Sequence, residues 1–116
     1  VQYGALFPVF RDLVRDIDPR IRADACTLLG RCDARAIRHL IDALEDESPV
    51  VRERAALGLG AQGALAEEAV PFLTDHLNDP IFRVRASAVC ALGKIGSWAV
   101  NYAQSDLIAL LGDREE

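Results

Sequence analysis

The sequence predicts an all-α fold built from stacked helical hairpins, and three observations carry that prediction. Hydrophobic residues make up 51% of the 116 and aromatic residues only 6%, a balance that suits closely packed helices better than a β-sandwich. A fifteen-residue pattern recurs three times, as "DIDPRIRADACTLLG" (16–30), "DESPVVRERAALGLG" (46–60) and "DPIFRVRASAVCALG" (79–93). An eleven-residue pattern alternates with it, as "AIRHLIDALED" (36–46), "AVPFLTDHLND" (69–79) and "AQSDLIALLGD" (103–113). Self-similarity at a period of 30–34 residues is the mark of a repeat array, in which no unit buries both its faces alone.

The elements follow in order. "LFPVFRDLVRD" (6–16) fits the frame of the eleven-residue pattern, so residues 1–15 read as the second helix of a preceding repeat, with Pro8 over Pro71. Its apolar pair Phe10/Val14 corresponds to Leu40/Leu44, Leu73/Leu77 and Leu107/Leu111, an i, i+4 spacing that marks one buried helix face. The first full repeat spans 16–45, the second 46–78 and the third 79–112, and 113–116 open another. Asp18-Pro19 and Ser48-Pro49 supply an N-cap followed by a proline at the first helical position. Asp79-Pro80 is expected to do the same half a turn earlier. Gly30, Gly60 and Gly93 are expected to stop the first helices. The turns within the hairpins are "RCDAR", "AQGALAE" and "KIGSWAVNY", and in them Trp98 matches Leu65, which predicts a buried plug.

Each first helix carries an arginine near its start, at Arg22, Arg52 and Arg85, where the positive end of the helix dipole disfavours a cation. At 100° per residue Arg22 falls among Ala25, Cys26 and Leu29, on the apolar stripe. A charge there is expensive unless paired. Asp16, Asp46 and Asp79 recur in step and are the expected partners, within a repeat or across to the next, in a structural ladder.

These residues resemble the short HEAT-repeat family, of the phycobilisome-lyase type. The pattern is carried by Asp46, Pro49, Val51, Arg52, Ala55, Leu59 and Gly60, then Ala69, Val70, Pro71, Leu73, Leu77 and Asp79. The resemblance implies a right-handed α-solenoid of stacked antiparallel hairpins, whose second helices line a concave surface that holds other proteins. It also implies the Asp–Arg ladder. Tetratricopeptide repeats have a similar length, but no Trp, Tyr or Phe recurs in register here.

If second helices line the concave side, the position four before each repeat aspartate points furthest from the core. It holds Asp12, Asp42 and Asp75, then Ala109, with Glu45 and Glu68 nearby and Arg35 and Arg38 offsetting the charge locally. His39 and Phe72 share one flanking position, suited to anchoring a partner. The expected function is therefore a non-catalytic scaffold that binds another protein, one with a basic segment, through this stripe. A bilin lyase or isomerase-type subunit is the alternative that the resemblance suggests, and a HEAT-like DNA glycosylase is a weaker one.

The net charge of −5 speaks against a nucleic-acid surface. No apolar run reaches the roughly 18 residues of a membrane span. Cys26, Cys32 and Cys90 are an odd set without framework spacing, which predicts reduced thiols and a cytoplasmic location. Cys26 is expected in the core and Cys32, between Arg31 and Asp33, as the reactive thiol. His39 and His76 fall at different repeat positions, so no metal is expected, nor any cofactor. "GLGAQG" (58–63) mimics a phosphate loop only in spelling, because Gly58 belongs to a helix with no strand before it. The chain lacks methionine and is read as a piece of a longer one. Apolar surface is then expected at Leu6, Phe7 and Phe10 and near Leu107 to Leu111, where self-association would occur.

Overall fold

A computed structural model describes residues 3–96, and every regular element among them is helical. The α-helices are α1 (Phe7–Leu13), α2 (Pro19–Leu29), α3 (Ile37–Ala43), α4 (Pro49–Gln62), α5 (Val70–Asp75) and α6 (Phe82–Ile95). Short 3₁₀ segments cover Tyr3–Leu6, Ala34–Ala36, Gly63–Ala69 and His76–Asn78. The first helices form a continuous row, α4 packing on α2 and on α6, while α1 lies against α2, α3 against α4 and α5 against α6. Trp98, Tyr102, Leu107, Ala109 and Leu111 lie outside the described residues.

The apolar pairs fill the space between these helices. Phe10/Val14, Leu40/Leu44 and Leu73/Leu77 are all buried, as are Leu29, Leu59 and Leu92 from the row of first helices. Alanines at the helix crossings (Ala25, Ala55, Ala56, Ala88 and Ala91) are buried as well, so backbones approach closely. One contiguous core results.

Helix starts depart from expectation at two places. Asp18 caps α2 by accepting from the Arg20 N–H at 2.9 Å, but Ser48 makes no side-chain cap bond at α4. There Asp46 Oδ1 accepts from the Ser48 N–H instead, at 2.9 Å. The helix after Pro80 begins only at Phe82, because Asp79 Oδ1 accepts from the Ile81 N–H at 2.9 Å and holds that residue extended. The same turn occurs at Asp16, which accepts from the Asp18 N–H at 2.9 Å. The repeat aspartate thus sets the backbone before each first helix, and the proline register follows from it.

The glycines also differ from their expected role. Gly30 does follow the end of α2, but Gly60 and Gly93 lie within α4 and α6. Close approach explains them. A Cβ on Gly30 would stand 2.7 Å from Gly58 Cα, and one on Gly60 would stand 3.0 Å from Ala91 Cα. The residue fourteen after a repeat aspartate therefore meets the residue twelve after the next one. The chain turns out of α4 at Gly63, whose φ of 62° favours glycine.

The expectation of exposed aromatic surface at Phe7 and Phe10 is corrected, since each is only 7% exposed. The Arg35 guanidinium lies 4.6 Å from the centre of the Phe7 ring, and that of Arg11 lies 5.8 Å away. Leu6 is exposed as expected.

Candidate functional site

The ladder residues meet in two ways at once. Arg22 Nε and Nη2 donate to the Asp46 carboxylate at 2.9 and 3.0 Å, across to the next repeat. Its Nη1 donates to the Asp16 and Ile17 carbonyls at 2.9 and 3.1 Å, within its own repeat. Arg52 repeats this with Asp79 at 2.9 and 3.2 Å and with the Asp46 and Glu47 carbonyls at 2.8 and 3.2 Å. Arg85 Nη1 donates to the Asp79 carbonyl at 2.9 Å. The guanidinium thereby turns away from its own helix dipole, towards carbonyl oxygens of the loop that enters the helix. The side chains of Arg52 and Asp79 are 13% and 3% exposed, so this pair holds the stack together and is closed to a ligand.

His76 adds to that rung. Its Nδ1 is 3.1 Å from Asp79 Oδ2 and its Nε2 is 3.3 Å from Glu45 Oε2. Burial raises the Asp79 pKa, but hydrogen bonds from Arg52, the Ile81 N–H and His76 outweigh it and hold the carboxyl below the usual range. Glu45 is therefore drawn to the repeat junction.

The candidate partner surface lies on the second helices. Asp12, Asp42 and Asp75 are all exposed, as are Glu68 and Phe72. Asp12 accepts from Arg11 Nε at 3.3 Å. A concavity of 250 Å³ is lined by Val14, Arg15, His39, Asp42, Ala43 and Asp46. Another, of 390 Å³, is lined by Phe7, Ala34, Arg35, Arg38, His39 and Glu68. His39 is common to both. Its ring packs on Phe7 with centroids 5.6 Å apart, and its Nδ1 is buried without a hydrogen-bond partner.

Arg35 is committed elsewhere, to Asp33 at 2.9 Å and to the Gly4 carbonyl at 2.9 Å. It clamps the N-terminal segment together with Arg31, whose guanidinium lies 5.5 Å from the Tyr3 ring centre. Arg38 and Arg15 form no ion pair among the described residues. Arg15 was not singled out from the sequence. Its i, i+4 spacing from Arg11 was the available signal.

Cys26 is fully buried, and burial pushes its thiol up to about 12. Cys32 is half-buried and donates to the Tyr3 and Leu28 carbonyls at 3.3 and 3.6 Å. Burial and then Asp33 raise its pKa, so the expected reactivity of Cys32 is corrected: Cys90 is the exposed thiol. Leu65, the register match of Trp98, is 63% exposed and lends no support to a plug. Among the described residues no group of three His, Cys, Asp or Glu side chains is placed to hold a metal, and no helix is long and apolar enough to cross a membrane.

No curated protein matches the chain. A family model for HEAT repeats matches residues 37–116, which include the second and third repeats entire. With helical pairs stacked through a recurring Asp–Arg ladder and that match over more than half its length, the chain belongs to the HEAT-repeat family.

Proposed function

We propose that the chain is a non-catalytic protein-interaction module, part of a right-handed solenoid in the cytoplasm, and that its second helices receive a basic segment of a partner protein. One observation carries this reading. The position four before each repeat aspartate is exposed in all three described second helices and holds aspartate each time, at Asp12, Asp42 and Asp75. Packing does not require a carboxylate at an exposed position, so the recurrence favours a recognised charge. HEAT repeats commonly mediate protein–protein interaction, which supports the class. The motif from Asp46 to Asp79 supports the phycobilisome-lyase subtype within the family, and mixing with bilin while following absorbance tests that subtype.

The test of the main reading is affinity capture from host lysate, with wild type beside a variant carrying Asp12→Asn, Asp42→Asn and Asp75→Asn. All three positions are exposed, so the helical circular dichroism and the melting curve are expected to stay unchanged. A basic partner retained by wild type and lost from the variant, with a shallower salt dependence, is the expected result. Equal capture by both proteins rejects the stripe as the binding surface.

A further inference from the structure

The aspartate row tells only half of the electrostatics of this face. At its centre, around His39, arginines stand among the carboxylates. His39 lines both concavities, and two arginines that form no ion pair among the described residues stand on either side of it. Arg15 lines the 250 Å³ concavity and Arg38 the 390 Å³ one. We propose that this notch takes the carboxylate of an acidic side chain in the partner segment, held by Arg15 and Arg38 and accepting a hydrogen bond from His39. The inference rests on the protein-binding reading above and names a second element of the partner: an acidic residue set among the basic ones that face Asp12, Asp42 and Asp75.

The ring's own geometry leaves one nitrogen for a ligand. Nδ1 is buried and unpartnered, and such an atom normally has a partner. Nε2 is therefore the ring nitrogen left to donate to a ligand. The charges around the ring give the ligand's sign. Arg11 on α1, Arg15 in the turn after it and Arg38 on α3 act on the ring, and Arg35 on the 3₁₀ segment 34–36 lines the larger concavity. The acidic groups are Asp42 on α3, Glu68 on the segment 63–69, and Asp46, which Arg22 already holds. Burial, then Arg15, Arg38 and Arg11 lower the imidazole pKa, and Asp42 alone opposes them. The field at His39 is therefore positive despite the net charge of −5. Asp33 and Asp12 already engage Arg35 and Arg11, which leaves Arg15 and Arg38 to the incoming carboxylate. A guanidinium–carboxylate contact is among the stronger polar interactions available to a surface groove.

The test uses the whole chain and three pools of short peptides that differ only at one fixed central residue: glutamate, glutamine or lysine. Binding is followed by NMR of the His39 ring and of the Arg15 and Arg38 side-chain N–H groups. The glutamate pool is expected to shift these signals saturably, and the glutamine pool is not. A bound carboxylate favours the imidazolium, so affinity for the glutamate pool is expected to rise as pH falls through the His39 titration. Arg15→Gln and Arg38→Gln are each expected to weaken the glutamate pool about tenfold, the scale of one charged hydrogen bond. Both residues are exposed, and an unchanged melting curve certifies the fold.

Indistinguishable responses to glutamate and glutamine, up to the solubility limit, overturn the proposal, as does glutamate binding that survives both substitutions together. The lysine pool reports separately on Asp12, Asp42 and Asp75. If lysine binds there and glutamate does not bind at His39, the notch falls and the aspartate stripe stands.

Discussion

At the scale of single residues, Arg52 concentrates most of what the sequence asks of this fold. Its guanidinium makes four hydrogen bonds, two to Asp79 and two to carbonyls entering α4. Arg52→Ala leaves the Asp79 carboxylate 3% exposed in its side chain and without its cation. Breaking such a buried pair costs about 3–5 kcal/mol. Urea unfolding at neutral pH measures it, and a loss below about 1 kcal/mol would show that the rung is dispensable. The pH dependence has a definite sign. Asp79 titrates below its ordinary value of 3.8 in the folded chain, so its stabilising contribution is complete above that value and is lost as pH falls through the lower folded-state value. The stability gap between wild type and Arg52→Ala is therefore expected to hold from neutral pH down to the carboxylate range and to narrow below it. A gap that widens in acid would contradict the assignment.

Helices as units were largely legible, and the exceptions have physical causes. Pro19 and Pro49 mark helix starts correctly because proline fixes φ where the N–H has no partner to lose. Pro80 misleads because the turn made by Asp79 takes precedence over proline placement. The buried pairs Leu40/Leu44 and Leu73/Leu77 could be read from spacing alone. The reach of Arg22 and Arg52 across repeats could not, since spacing left both directions open. The Phe7–Arg35 contact was missed for a similar reason: it joins segments distant in sequence, and the same residue pair recurs at no equivalent positions. Glycine at the ends of the pattern suggested termination, but its use is contact between helices. Gly58 gives a test. A Cβ there would lie 2.9 Å from the Cys26 carbonyl oxygen and 3.1 Å from the Leu40 side chain. In an isolated helix Gly→Ala gains about 1 kcal/mol, whereas forced overpacking costs about 1–3 kcal/mol. The first contact is with backbone, which cannot swing aside as a side-chain end can. Gly58→Ala is expected to lower the stability measured by urea unfolding, and an increase would mean that α2 and α4 separate without cost.

For the molecule as a whole, the open question is whether the stack opens as one unit or repeat by repeat. Stability in such arrays is a sum of terms within repeats and between neighbours. The α2–α4 junction has its own fastenings: the Arg22–Asp46 rung, Arg54 donating to Asp24 and Thr27, and Gln62 Nε2 within 3.1–3.3 Å of the Leu29, Cys32 and Asp33 carbonyls. The Arg52–Asp79 rung instead joins α4 to the approach to α6. Cys26 is a probe of the first junction. It is fully buried in α2, which packs most extensively on α4, and its thiol is pushed up to about 12, so a thiol reagent modifies it only after the packing around α2 opens. Cys90, already exposed, serves as the internal reference. If neighbours are coupled only pairwise, Gly58→Ala, which strikes the α2–α4 contact itself, accelerates Cys26 labelling by its full loss of stability. Arg52→Ala then accelerates it by clearly less than its own loss, because the fastenings of the first junction survive that change. Pulsed labelling with mass spectrometry, set beside urea unfolding of the same variants, measures both quantities. Equal proportionality in the two variants would mean that the stacked helices open together, and that the partner we propose for the second helices meets a single rigid body.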